Sequence, residues 1–150
     1  MEISTDEFKK ISGKKMVFTE RMGLQIVVFT KGYVKLMAPL AGNENHVGTM
    51  YAGALFTLAE VPGGSIFYSL FDGTKYYPIV KDMYIRFRRP ATTDITIELR
   101  MSEAKAKQIM AEADKNGKAD FILEGEMKDA FGEVVAVSKG TYQIRAFAGQ

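Results

Sequence analysis

The sequence predicts an α+β domain in two layers, a curved antiparallel sheet wrapped around one long central helix. Three observations carry that prediction. Residues 51–71 (YAGALFTLAEVPGGSIFYSLF) are mainly apolar and rich in small side chains. Several other segments alternate polar and apolar residues with a period of two, the pattern of half-buried strands. Most of those strands follow one another with a single helical insertion, and runs of antiparallel strands with a helix on one face make an α+β domain.

The elements follow in order. Asp6 to Ile11 reads as a short helix capped by Ser4 or Thr5 and stopped by Gly13. Residues 14–32 carry no decisive pattern. From Tyr33 to Leu40, Val34, Leu36, Ala38 and Leu40 share one strand face. Residues 41–49 (AGNENHVGT) form a polar loop. In the long helix, Ala52, Gly53, Ala54, Ala59, Gly63, Gly64 and Ser65 let another backbone come close, although each Gly costs roughly 1 kcal/mol of helix propensity. Pro62 removes the bond to the Leu58 carbonyl and predicts a kink or break. Tyr77 to Arg88 is a strand expected to turn Ile79, Met83, Ile85 and Phe87 to one side. Asp94 to Met101 is another, with Ile95, Ile97, Leu99 and Met101 inward. Ser102 caps a helix with Ala106, Ile109, Met110 and Ala113 at helical spacing, and Gly117 stops it. Ala119 to Asp129 and Glu133 to Phe147 are strands joined by a hairpin turn at Ala130-Phe131-Gly132.

The chain has 150 residues, which suits a single domain over 1–150, with an N-terminal helix and lead-in over 1–32 and the core over 33–150. Apolar residues are 47% and charged residues 25%, which excludes a disordered tail, a collagen-like fibre and a coiled coil. The net charge of +2 predicts no general affinity for nucleic acid or anionic membrane. With no cysteine, disulfides, thiolate nucleophiles and cysteine zinc sites are excluded. His46 is the only histidine, so no multi-histidine metal centre fits in one chain, and no metal is expected. No apolar run approaches the length of a membrane span, and the first ten residues lack the apolar stretch of a secretory signal, so a cytoplasmic protein is expected.

Chemistry concentrates at the start of the long helix. Glu60 is flanked by Leu58, Ala59 and Val61. A carboxylate desolvated by such neighbours has a raised pKa and can act as a general base. The free N–H groups near Ala52 and Gly53, at the positive end of the helix dipole, can hold a developing oxyanion. The simplest expectation is an acid aimed at an electrophile held by the tip of its own helix.

Asn45 to Gly64 (NHVGTMYAGALFTLAEVPGG) resembles the signature of hot-dog-fold acyl-CoA thioesterases of the phenylacetate-pathway type, and within them a sparsely characterised thioesterase-like branch. The signature runs Asn, a Gly, a His-Gly-Gly opening the central helix, then Leu-Ala-Asp/Glu. The likeness continues through Arg86-Phe87-Arg88-Arg89-Pro90 into the last hairpin. It implies that Glu60 is the catalytic carboxylate, base or nucleophile. It implies that the Ala52 N–H is the oxyanion donor, that Gly53 allows close approach, and that Asn45 orients substrate or water. His46, Gly48, Tyr51 and Gly64 fall in the substrate-contacting part of the motif. Tyr51 stands where the family has His, Ala52 where it has its first Gly, and Glu60 where Asp is common. The resemblance further implies homodimers or dimers of dimers with each site built from two chains, a small acyl thioester as partner, and no cofactor beyond the coenzyme A carried by the substrate.

Two alternatives remain open on the residues alone. One is a hot-dog protein that binds an acyl or CoA ligand without turnover, a reading that Tyr51 favours. The other is a 3-hydroxyacyl thioester dehydratase, since His46 and Glu60 are fourteen residues apart. The dehydratase pattern, however, opens its helix with Pro-Gly five residues before the acid, whereas Gly53 lies seven before Glu60 and no Pro precedes it. Arg86 and Arg88 share a strand face and, with Arg89, suit the phosphates of coenzyme A; an exposed strand guarded against edge pairing explains them equally. Ser65 lacks the Gly-x-Ser-x-Gly of a nucleophile elbow, and the scattered methionines fit core gaps.

Overall fold

The computed structural model describes residues 16–149 of the chain. The helix expected at Asp6 to Ile11 lies outside them. The order is α1 (Val17–Arg21), β1 (Gln25–Thr30), β2 (Tyr33–Ala38), α2 (Ala52–Leu70), β3 (Tyr76–Phe87), β4 (Ile95–Arg100), α3 (Glu103–Asn116), β5 (Lys118–Lys128) and β6 (Val134–Ala146). All six strands form one antiparallel sheet in the order β1-β2-β4-β5-β6-β3. The sheet wraps α2, which is the hot-dog arrangement. β1 belongs to that sheet, so the core begins before residue 33. Its sequence, QIVVFT, lacks clean alternation because it is an edge strand with a bulge between Ile26 and Val28.

α2 holds the core together. Leu58, Ile66 and Phe67 are fully buried, in one cluster with Leu36 of β2, Ile95 and Ile97 of β4 and Ile144 of β6. Burying one such side chain is worth about 1.5–3 kcal/mol. The helix runs unbroken through Pro62, so no break occurs there. Packing on the sheet holds the proline inside the helix, since tertiary burial outweighs the lost hydrogen bond.

α3 has the caps its sequence announces. Ser102 Oγ accepts from the Lys105 N–H at 3.1 Å, and Gly117 closes the helix at a left-handed φ of 81°. Ala106, Ile109 and Ala113 are buried as the spacing requires.

β3 departs from simple alternation. A bulge between Val80 and Asp82 shifts the phase by one residue. Pro78 and Val80 pair with Ile144 and Tyr142, and Met83, Ile85 and Phe87 pair with Gly140, Ser138 and Ala136, all on the α2 side of β6. Ile79 pairs with Gln143 and so lies on the outer face, not with Met83, Ile85 and Phe87 as even spacing suggests. Tyr84 and Arg86 share the outer face. β3 is also an edge strand, and Val80, Tyr84 and Phe87 remain exposed on it. Among the described residues, no helix is long and apolar enough to cross a membrane.

Candidate active site

The turn before α2 is organised by Asn45. Its backbone N–H donates to the Thr49 carbonyl at 2.7 Å. Its Oδ1 accepts from the N–H groups of Val47 (3.0 Å) and Thr49 (3.2 Å), and its Nδ2 donates to Thr49 Oγ1 (2.8 Å). The Gly48 N–H closes the turn on the Asn45 carbonyl at 3.1 Å, with Gly48 at a φ of 88°. Both ends of the Asn45 amide are therefore engaged inside the loop and shape it. His46 is exposed at the loop's outer side.

This turn delivers the chain to the helix. The Met50 N–H donates to the Ala91 carbonyl and the Tyr51 N–H to the Asn43 carbonyl, both at 2.8 Å. Tyr51 is the extended N-cap (φ −60°, ψ 138°), and its carbonyl accepts from the Ala54 and Leu55 N–H groups at 3.0 and 3.2 Å. Among the described residues, the N–H groups of Ala52 and Gly53 have no partner, as the first turn of a helix dictates. The Tyr51 ring folds over Gly53, where a Cβ would stand 2.4 Å from its Cε1. The bare Gly53 thus accommodates Tyr51.

Glu60 sits two turns along. Its side chain is half-buried, and its carboxylate has no hydrogen-bond or ion-pair partner among the described residues. Burial holds its carboxyl above the ordinary value of 4.5. Ala52, Phe56, Glu60 and Gly64 follow one another at a spacing of four and form one stripe of α2, more exposed than the buried residues between them. The tip of the helix is nevertheless out of reach of its own acid. Eight residues at the helical rise separate Ala52 from Glu60 by about 12 Å. An electrophile held at the Ala52 amide cannot touch Glu60 of the same chain, which corrects the expectation of a one-helix site.

The unpaired acid has a consequence for stability. A carboxyl whose pKa is higher folded than unfolded takes up its proton more readily in the folded chain, so folding is favoured below that window and penalised as pH rises through it. Glu60→Gln should therefore raise the thermal unfolding midpoint at pH 8, with the gain shrinking toward pH 4. Scanning calorimetry across that range measures it. A lower midpoint at pH 8 would mean that the carboxylate has a stabilising partner.

The arginines lie elsewhere. Alternation puts Arg86 and Arg88 with Tyr84 on the outer face of the sheet, across the sheet from α2. Arg88 lines a concavity of 680 Å³ there, with Tyr84, Glu98, Arg100, Glu126 and Lys139, and Glu60 is not among its walls. Arg89 pairs with Glu133 at 3.2 Å. One chain does not bring Arg86, Arg88 or Arg89 to Glu60. Gly64 lies half-buried one turn beyond it, with open space where a Cβ would be. Among the described residues, no three acidic or His side chains converge as metal ligands.

One neighbour of Glu60 has no signal in the sequence. The Tyr142 hydroxyl, on β6, donates to the Glu60 backbone carbonyl at 2.9 Å across 82 residues of chain. Burial, and after it the Glu60 charge, push the Tyr142 phenol above its ordinary value. The inward register of β6 could have placed Tyr142 against α2, but no spacing ties it to position 60.

The family model for a domain of unknown function, DUF4442, matches residues 4–144. The chain belongs to the DUF4442 family. The DUF4442 chain is 48% identical to PA5026 of Pseudomonas aeruginosa, described as a protein of unknown function and probable thioesterase; the match covers 98% of this chain and 99% of that one, with a TM-score of 0.90. A protein of unknown function from Chlorobaculum tepidum, 19% identical over 93% of each chain, shares the fold at a TM-score of 0.81. The thioesterase SAV0944 of Staphylococcus aureus does so at 0.71, with 19% identity over 87% of this chain and 99% of that one. No curated protein matches the chain. The DUF4442 chain is thus a thioesterase-like hot-dog protein.

Proposed function

We infer that this protein is an acyl-CoA thioesterase that works as a homodimer, hydrolysing an acyl thioester to a carboxylate and a free thiol. The observation that carries this reading is the half-buried Glu60 carboxylate, unpartnered on the stripe that also holds the unsatisfied Ala52 amide. A general base needs a raised pKa, and an oxyanion needs a free donor. The two groups are about 12 Å apart in one chain. A two-fold axis near Phe56, midway between them, lays two α2 helices antiparallel and sets Ala52 of each copy opposite Glu60 of the other. Phe56 is 46% exposed, as a residue awaiting its own copy would be. The exposed edge of β3, unpaired among the described residues, offers the matching strand contact, since an unpaired apolar edge invites another chain.

In the resulting site the thioester carbonyl oxygen docks on the Ala52 N–H of one copy. Glu60 of the other deprotonates water, or attacks the carbonyl carbon itself to give an acyl-Glu60 anhydride that water then hydrolyses to the free carboxylate and Glu60. The tetrahedral oxyanion is held by the amide, and collapse expels the thiolate, which takes a proton. The reaction needs no metal or redox cofactor and takes place in the cytoplasm. Coenzyme A enters only as part of the substrate.

A panel of acyl-CoAs assayed by free-thiol release tests this reading. Thiol release with at least one member supports it. If none is cleaved but one raises the unfolding temperature, the protein is an acyl-CoA binder. If a 3-hydroxyacyl-CoA loses water with its thioester intact, it is a dehydratase.

A further inference from the structure

Directly behind Glu60, α2 is at its weakest. Pro62 has no N–H to give the Leu58 carbonyl, and Gly63 and Gly64 follow it, each a poor helix former. A carboxylate whose placement governs the rate is carried by a turn with little stiffness of its own.

β6 supplies what the helix lacks. The Tyr142 ring occupies the space a side chain at Gly63 would take: an added Cβ would stand 2.1 Å from Cε1 and 2.2 Å from Cζ. From that slot the hydroxyl donates to the Glu60 carbonyl at 2.9 Å. The ring is 3% exposed and stacks on Phe121 at 5.6 Å, and Phe121 stacks on Phe71 at the same distance. The hydroxyl is thus held by a packed aromatic column and cannot follow the helix if the turn shifts.

We propose that Tyr142 is the positioning residue of the site: seated in the slot opened by Gly63, its hydroxyl pins the backbone of the turn that carries Glu60 and so fixes where the carboxylate points. This rests on the reading of Glu60 as the catalytic acid and deepens it. Pro62, Gly63 and Tyr142 then form one device. The proline frees the turn from its own ladder, the glycine admits the ring, and the sheet decides the position of the acid. Because burial keeps the phenol protonated, the pin holds throughout the neutral and mildly alkaline range.

Tyr142→Phe, which keeps the ring and loses only the hydroxyl, tests this, with Glu60→Gln and wild type alongside. The expected result is a fall in kcat of about tenfold or more with KM within about twofold, since small misplacement of a catalytic group is costly. Amide hydrogen exchange over residues 58–64 should quicken, with exchange elsewhere in α2 little changed. Gly63→Ala should give the same pair of signatures by pushing the ring out while keeping its hydroxyl; if it does not fold, Tyr142→Phe decides alone. Wild-type kcat and unchanged exchange in Tyr142→Phe overturn the proposal. A loss of activity matched by a global fall in stability, without local exchange, makes Tyr142 a core residue only and overturns it too. If hydrolysis survives Glu60→Gln, the reading of Glu60 has failed, and the catalytic part of this proposal falls with it. Exchange over 58–64 then still decides whether the pin exists.

Discussion

Glu60→Gln is expected to lower thioester hydrolysis by roughly two to four orders of magnitude, the contribution of a positioned general base. The amide has nearly the shape of the carboxyl and adds no bulk to α2. The change removes a charge that is half-buried and unpaired, so the fold should survive with some gain at neutral pH. Stability and activity thus move in opposite directions in one variant, a signature that a destabilised fold cannot imitate. The measurement is kcat/KM by thiol release, with the unfolding midpoint taken on the same preparation. Retention of more than about a tenth of wild-type kcat/KM would mean that another group activates the nucleophile.

Ala52→Pro is expected to cost about 10²–10³ in kcat, the usual consequence of losing one oxyanion donor. Proline suits this position in every other respect. It is the first residue of α2, where the N–H has no partner among the described residues and proline is tolerated. The residue before it, Tyr51, already has the extended geometry that a following proline imposes. The amide proton is replaced by the ring Cδ, so the donor is lost while the helix start is kept. The pair of variants also tests the two-chain site. Co-expressed Ala52→Pro and Glu60→Gln chains form mixed dimers in which one site has both groups intact and the other has neither. With random pairing, about a quarter of wild-type activity should return, whereas each variant alone is nearly silent. No recovery would place the acid and its amide in the same chain, against the 12 Å or so that the helical rise puts between them.

Much of the fold was legible because local periodicity and local burial agree. β2, β4 and β5 each bury one face, and their alternation survives intact. α3 carries its own caps in Ser102 and Gly117. Where the reading failed, a tertiary cause is visible. At Ile79 a bulge reverses the phase, and a bulge is set by the pairing partner, not by the residues that form it. At Pro62 an intrinsic helix breaker stays inside a helix that is buried on the sheet. β1 has a disrupted pattern, and its place in the sheet follows from pairing with β2.

The candidate site divides along the same line. Glu60 was visible as an acid among apolar neighbours, and the amide-rich start of its helix was visible as a cluster of small residues after a polar loop. Both are local features, encoded within a few positions of each residue. That Arg86 and Arg88 lie across the sheet from α2, and that Tyr142 grips the Glu60 turn, are facts of distance between segments remote in the chain. Side-chain chemistry and helical spacing can be read one residue after another. Which groups meet depends on how the sheet curls and pairs, and no stretch of sequence carries that information alone.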